Sequence, residues 1–578
     1  MPNTSTSWHK YIIFYLTKHK LFFILIFILI IISSILSLSI PFSLKLIFEI
    51  ISITSNINKT FIICILCIVL MIIKYSIDIC YRALTAKKTS VIFKNMACDL
   101  YDHLLTLGMD FYLNTKSGLF MQSFDQDMYV ILRMVMNDFQ LLISSLVQIL
   151  FMIVFLAYLN PVLMGICLFF IPVYYIMKKI ADSSIKKANG EMLKSWGNAS
   201  SNIHETLGGI KAIKELNAEE YCSRKNKTFL QQAAIAFSKL EIQTAKTFVI
   251  TSMFNQLVPF LVIILGLIVY KTNGISSGSL FAFFYIVIGF FSPLGSIVIL
   301  SNSIQKGKQS VKRVISYLEL KSNIIENDNV KDFNCIKGSI AFEQVSFAYN
   351  DKNILDKISF SIKEGESIAI VGASGSGKTT ILSLIYRLYD PNNGCVKIDN
   401  ENIKNIKLEQ YRKHIGYVGQ ETILFHASIL DNLKIANNEA TTNEIYEACK
   451  LVGMHKEIMG TTDGYGTIIG ERGMKLSGGQ RQRLSLARMI LKNPSVIIFD
   501  ESFSNLDSES ETNFFENIKE IFKGKTRIII SHRLSSIVNT NRIIYIDNSK
   551  IIDINTHKNL AQNNINYREL WKNQVNVN

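Results

Sequence analysis

Six apolar stretches, each close to the roughly 20 residues that a helix needs to cross a bilayer, limit this chain's folds more than anything else in it. They lie at 21–43, 60–82, 139–159, 162–180, 247–270 and 280–302. Hydrocarbon offers a peptide group no water to bond with, so each stretch is expected to be a helix. The run from Leu21 to about Ile40 is too long for the apolar core of a secretion signal, and no small-residue cleavage pattern interrupts it early. It reads as a retained span. Before it, SWHKYIIFYLTKHK is amphipathic and basic, which suits a helix lying flat at the interface.

The connections set the orientation. Little more than Asn160-Pro161 joins spans three and four, and the nearly uncharged KTNGISSGS joins spans five and six. About 55 residues separate spans two and three, and about 65 separate spans four and five. The second of these carries Lys178, Lys179, Lys186, Lys187, Lys194, Lys211, Lys214, Arg224, Lys225 and Lys227. With Lys10, Lys18 and Lys20 at the N-terminus, the basic side is the same throughout, which puts both termini and both long connections in the cytoplasm. These connections are rich in helix formers and almost free of Pro. They read as spans continued tens of Å past the bilayer, turning back at GMDFYLNTKSG (108–118) and TLGGIKAIKELNAE (206–219).

Apolar residues are 49% of the 578 residues, but most of them fall before about residue 305; the rest resembles an ordinary soluble α/β domain. The expected division is a membrane domain over 1–320, a polar linker over 321–337 and a nucleotide-binding domain over 338–578. In the last part β-like runs (SIAFEQVSF, SIAIV, IIFD, TRIIIS, RIIYID) alternate with helical ones, which argues a parallel sheet with crossover helices. The net charge of +15 could indicate nucleic acid, but the basic residues sit where the membrane orientation puts them, so no nucleic-acid partner is expected. The nine cysteines form no framework. Cys64 and Cys67 make a CxxC inside FIICILCIVL, where packed or lipid-facing thiols are the default, as in a reducing cytoplasm.

The chemistry begins at Gly372. GASGSGKTT follows the strand SIAIV and precedes the helical TILSLIYRLY, which completes GxxxxGK[ST] in its required setting. Backbone N–H groups from Gly372 to Gly377, with Ser374, Gly375, Ser376 and Thr380, suit phosphate; Lys378 suits the outer phosphates and Thr379 suits Mg²⁺. FDESFSNLD (499–507) follows an apolar strand and ends it on two acids. Buried acids are costly without a metal, a partner or chemistry. Beside a phosphate loop, Asp500 is expected to hold Mg²⁺ and Glu501 to orient and deprotonate water.

Between these two motifs lies KLSGGQRQR. With the phosphate loop, LSGGQ (476–480) resembles the signature of the ATP-binding cassette (ABC) transporter family. Further motifs follow the family's order. Tyr349 in FAY matches the aromatic that stacks on adenine. Gln420 in GYVGQETILF matches the glutamine that senses Mg²⁺ and contacts the membrane domain. GERG (470–473) precedes the signature, Asp507 in SNLD matches the loop across the dimer seam, and His532 in ISHRL matches the switch histidine near the γ-phosphate. Singly each has a structural explanation; in order over about 185 residues they do not. The resemblance covers the whole chain. It implies a half-size exporter: an all-α six-helix transmembrane domain followed by an α/β P-loop NTPase domain, using ATP and Mg²⁺, multi-pass in a bacterial cytoplasmic membrane. It also implies a homodimer, since Ser477, Gly478, Gly479 and Gln480 would bind the γ-phosphate held by another copy. No accessory peptidase domain is expected before span one. Where the family more often reads EATSALD, this chain has ESFSNLD; Ser502, Phe503 and Asn505 depart, and the catalytic set stays.

Substrate is less legible. An exported drug, peptide or lipid fits the architecture. A channel gated by ATP on the same fold, or a soluble ATPase acting on nucleic acid, are the alternatives, and the six spans argue against the last. Lys74 and Asp78 lie four apart near span two, either neutralising each other or facing a substrate path. Gln148, Asn255, Gln256 and Asn302 are further candidates for that path, or for bonds between helices.

Overall fold

The computed structural model describes residues 8–53, 57–115, 117–273, 276–324, 326, 333, 335–349, 352–419, 422–470, 473–500, 519–531 and 537–575. The chain divides into two compact units, Met1–Thr106 with Thr115–Leu320, and Leu107–Asn114 with Lys321–Asn578.

The described residues of the first unit are helical nearly throughout. A short α1 (Trp8–Thr17) precedes α2 (Lys20–Leu36) and α3 (Ser39–Ile53), so the first apolar stretch forms two helices where one was expected. The break has a local cause. Pro41 has no N–H to give the Ser37 carbonyl, and Ser34 and Ser37 hydroxyls donate to the Ile30 and Ser34 carbonyl oxygens at 2.8 and 2.6 Å. α4 (Ile57–Thr106) is 50 residues long, about 75 Å at 1.5 Å per residue. After α5 (Met109–Asn114), which belongs to the second unit, come α6 (Ser117–Gln122), α7 (Met128–Arg133) and α8 (Phe139–Leu159), joined by π-helical turns at Ser123–Asp127 and Met134–Asp138. α9 (Pro161–Gly208), the six-residue α10 (Ile210–Glu215), α11 (Glu219–Asn273) and α12 (Ser277–Leu318) complete the unit. Among the described residues, five stretches are long and apolar enough to cross a membrane by length and composition: Lys20–Ile51, Ile57–Thr106, Phe120–Leu159, Glu219–Leu265 and Gly278–Ile297. The fourth apolar stretch, 162–180, opens α9, where the side chains at 163 and 166 lie outside the described residues.

The expected turning points at 108–118 and 206–219 contain the short helices α5 and α10. Beyond the apolar stretches, α9 and α11 run side by side with Ala199, Ala233 and Ala236 buried between them. Within the spans, Tyr174, Phe254 and Phe291 form an aromatic core with centroids 5.3 to 5.5 Å apart. The π-helical turns carry two buried acids to α12. Asp127 takes a bidentate pair from Arg313 at 2.9 and 2.5 Å, and Asp138 accepts from the Ser303 hydroxyl.

The second unit holds two sheets. β3 (Ser367–Gly372), β6 (Ile415–Val418), β7 (Val496–Asp500), β8 (Thr526–Ile530), β9 (Arg542–Asp547) and β10 (Lys550–Asn555) form one, in the order β10-β9-β3-β8-β7-β6. Its pairings are parallel except β10 with β9. The other, antiparallel, is formed by β1 (Ile340–Tyr349), β2 (Lys352–Ile362), β4 (Asn393–Ile398) and β5 (Glu401–Asn402). The alternation of β-like and helical runs suggested the parallel sheet alone. β1 and β2 instead pair antiparallel, Ile340 opposite Ile362, because a two-residue link leaves no length for a crossover. One core layer fills the space between the sheets, with Phe342 and Phe360 stacked at 4.5 Å beside Ile368 and Ile370. After α13 (Lys378–Ile385), α14 (Leu408–Lys413) and α15 (Ile429–Lys434) come α16 (Thr442–Leu451), α17 (His455–Met459) and α18 (Gly478–Lys492); Ala369 and Val371 point to the other face, against Phe499, α16 and α18. β3 is therefore apolar on both faces, as a covered parallel strand must be.

Lys492, the last residue of α18, donates to the Ile415 carbonyl oxygen at 2.7 Å. Burial, and then the charge of Arg412, push its pKa down to about 8. An unfolded lysine titrates near ~10.4, so between these values the unfolded chain holds a proton that the folded one has lost. Stability of this unit should then rise as pH climbs from about 8 towards ~10.4. Thermal unfolding followed across that window should show the rise, and Lys492→Met should flatten it; an unchanged slope in the variant would count against the assignment.

Candidate functional site

β3 ends at Gly372, and the chain wraps through 373–377 into α13 (Lys378–Ile385). Gly377, the residue before α13, has φ +104°, and a Cβ there would lie 2.7 Å from Leu355 Cδ2. Only glycine closes this turn, because the backbone is left-handed and the neighbouring strand leaves no room. Gly372 is equally tight: a Cβ would meet the Ile546 carbonyl oxygen at 2.2 Å. Gly375 is exposed at φ +80°. The Lys378 ammonium is buried and donates to the Gly372 and Ala373 carbonyl oxygens at 2.9 Å each, so it lies over the loop. Ser376 Oγ is buried and has no hydrogen-bond partner among the described residues. Ser374 and Thr379 are exposed and Thr380 is buried. A buried cation, an orphaned hydroxyl and a glycine cradle at a helix N-terminus fit a polyphosphate.

Asp500 closes β7 at the same, carboxyl, edge of the sheet. It is two strands from β3 in the order β3-β8-β7, hence about 10 Å across. Its carboxylate accepts from the Tyr417 hydroxyl at 2.9 Å. Tyr417 was not anticipated as a site residue; the only hint was its place in GYVGQ, three residues before Gln420. Thr379 and Asp500 are the described residues whose oxygens suit Mg²⁺. Gln420, Glu501, Asp507 and His532 lie outside the described residues.

Tyr349 ends β1 and meets Phe347 and Tyr389 edge-on, with centroids 4.8 and 5.2 Å away. Burial, then Tyr349 and Asp110, push the Tyr389 hydroxyl up to about 12, so it stays a neutral donor. These rings wall a cleft of about 520 Å³ whose polar lining includes Asp110, Asp390 and Asn392. Asp110 of α5 accepts from Asn323 Nδ2 at 2.6 Å.

The signature residues start α18. Ser477 is its N-cap: the hydroxyl accepts from Gln480 N at 3.2 Å, and Gln480 Oε1 accepts from Ser477 N at 2.8 Å. This reciprocal pair fixes the first turn and leaves Gly478 and Gly479 part-exposed at a helix N-terminus, where an anion is favoured. α17 (His455–Met459) braces it. Glu457 accepts from Gln480 Nε2 at 2.9 Å and pairs with Arg483 at 2.9 Å. Nothing in the local sequence marks Glu457, since it lies 23 residues before Gln480.

In the first unit Lys74 and Asp78 form an ion pair at 3.1 Å, Asp78 also accepts from the Ser33 hydroxyl at 2.5 Å, and Lys74 lies 4.3 Å from the Tyr75 ring centre. Lys74 and Gln148 line one cavity of about 280 Å³ with Tyr75 and Tyr285. Asn255 and Gln256, on α11, lie outside it, and Asn255 Oδ1 is buried without a hydrogen-bond partner among the described residues. The Asn302 side chain lies outside the described residues.

Comparison with known proteins gives a consistent picture. The family model for the ABC transporter transmembrane region matches residues 23–294, and the ABC transporter model matches residues 355–504. YgaD of Bacillus subtilis, named as a multidrug export ATP-binding/permease protein, is 31% identical over 498 residues, covering 85% of each chain. A Staphylococcus aureus protein named for the same role is 30% identical over 509 residues, 87% of each chain. In structure, a bacterial Atm1-family ABC exporter with ATP bound superposes with a TM-score of 0.83 at 22% identity, covering 96% of this chain and 98% of that one.

Gly377→Ala should abolish nucleotide binding, because both the +104° φ and the 2.7 Å approach to Leu355 resist a side chain. Titration with a fluorescent ATP analogue checks this; binding within about twofold of the unaltered protein would mean that the loop yields more easily than its geometry implies.

Proposed function

This chain belongs to the ABC transporter family, and from that premise we propose that two copies of it form an exporter for an amphipathic compound in a bacterial cytoplasmic membrane. Both termini would face the cytoplasm. ATP hydrolysis coupled to transport is the family's activity. The observation that carries the reading is a glycine phosphate cradle with its buried lysine, fused in one chain to a multi-pass helical unit.

The roles follow from the chemistry of each residue. Tyr349 offers an aromatic face to adenine. The N–H groups of Ser374, Gly375, Ser376, Gly377 and Thr380, with Lys378, hold the phosphates. Mg²⁺, held by Thr379, Asp500 and Gln420, would neutralise charge on the phosphates. By their match to the family's motifs, Glu501 would orient and deprotonate water, His532 would act on the outer phosphate and Asp507 would belong to the seam between copies. Tyr417 holds the Asp500 carboxylate in place. The N-terminus of α18 belongs to no phosphate loop of its own, which favours use by a nucleotide on the second copy. Closing two such seams at once makes the closed pair more stable with nucleotide than without, and that difference is what can drive the spans. At α10, Leu207, Ile210 and Leu216 are exposed, as a surface that another copy would cover requires.

Relatives named for multidrug export support an amphipathic substrate. The Lys74–Gln148 cavity is the candidate contact, with Asp78 balancing the lysine; Asn255, Gln256 and Asn302 are secondary candidates.

Two tests separate these layers. Glu501→Gln and Gly478→Asp should each abolish turnover alone. Mixed, they should regain part of it, because a mixed pair holds one seam with Glu501 from one copy and an intact signature from the other. No recovery on mixing, in pairs shown to form, would argue against shared sites. For the cavity, ATPase stimulation in nanodiscs across dyes, lipids and peptides should identify a stimulant whose effect Lys74→Ala reduces. Equal stimulation in the variant would remove Lys74 from the path.

A further inference from the structure

A further cleft opens beside the N-terminal end of the first span. It measures about 510 Å³ and lies between α1, α2 and α8. Its walls are apolar: Ile13 and Leu16 from α1, Phe27 and Ile30 from α2, Phe139 and Ile143 from α8. Two of its polar side chains are already bonded within the protein. Gln140 Nε2 donates to the Thr85 hydroxyl at 2.9 Å, and the Thr17 hydroxyl donates to the Phe14 carbonyl oxygen at 3.1 Å. The remaining polar lining group is Lys20, which is exposed.

The mouth is basic. Lys18 is exposed and stands 4.4 Å from the Phe14 ring centre, at the end of α1. Burial, then the charges of Lys88 from α4 and of Lys18, hold the His19 imidazole below its usual pKa, so positive charge gathers around the turn between α1 and α2. The nearby acid Asp99 accepts from the Tyr15 hydroxyl at 2.5 Å. α1 itself is anchored, with Tyr11, Ile12 and Tyr15 buried on its inner side, so the cleft is a fixed feature of the unit.

We propose that this cleft binds an anionic phospholipid, one acyl chain lying in the trough between α1, α2 and α8 and the phosphate at Lys20, with Lys18 two residues away. The walls match a hydrocarbon chain, and the Thr17 hydroxyl and one Gln140 N–H are already bonded within the protein. The mouth selects charge: a zwitterionic headgroup carries its own cation to these lysines, whereas an anionic one does not. The site is separate from the nucleotide cradle and from the Lys74 cavity, and does not depend on what is exported.

Photo-crosslinking on the full chain tests this. The protein is placed in phosphatidylcholine nanodiscs doped with diazirine-acyl phosphatidylglycerol or, in parallel, with phosphatidylcholine bearing the same acyl group. Peptides from α1, α2 and α8 should label more strongly with phosphatidylglycerol, by about fivefold for each lysine engaged. The preference should shrink in high salt. Lys18→Gln with Lys20→Gln should bring the two labels towards equality, and Ile143→Trp, which narrows the trough, should lower both. Equal labelling by the two lipids in the unaltered protein overturns the proposal, as does a preference that survives both lysine substitutions. The first comparison changes only the lipid, so it stands even if a variant fails to fold.

Discussion

A peptide group in hydrocarbon bonds only to its own helix, and most of this chain's form follows from that restriction. The spans must be helical, and α4, α9 and α11 continue as helices well past the roughly 30 Å that a bilayer requires. A helix extended in this way transmits displacement along its length. The small residues between α9 and α11 let the two stay close where lipid no longer confines them. Two irregularities interrupt these helices: the break at Ser37 and Pro41 inside the first apolar stretch, and the π-helical turns that carry Asp127 and Asp138 to α12.

The nucleotide-binding unit answers a different problem, that of holding a dense anion without burying unpaired charge. Backbone N–H groups do most of it, because they are fixed by the strand and helix they join. The side-chain contribution is one ammonium, fixed by two carbonyl oxygens. The signature turn repeats the principle at a second helix N-terminus, made rigid by the Ser477–Gln480 box and braced by Glu457. A site split between two such pieces, as proposed for two copies, would form only when the pieces meet, which is what coupling binding to movement requires.

Charge in the membrane unit is handled by pairing. Lys74 and Asp78 neutralise each other one helical turn apart, and Ser33 shares the acid. At the N-terminal edge the lysines outnumber the acids, as suits a surface that meets anionic headgroups.

The helical spans, the phosphate loop, the acid at the end of β7 and the signature are legible in the chain alone, because each rests on residues adjacent in it. Periodicity and glycine spacing are local, and so are the backbone needs they report. Three-dimensional packing was needed to see that β1 and β2 belong to a separate antiparallel sheet, that Tyr417 holds Asp500 across 83 residues, and that Glu457 holds Gln480. It also decided which intramembrane polar residues share a cavity, joining Gln148 to Lys74 and leaving Asn255 outside. These depend on which strands pair and which helix faces meet. That choice is made by burial summed over the whole unit, and no single stretch of sequence encodes it.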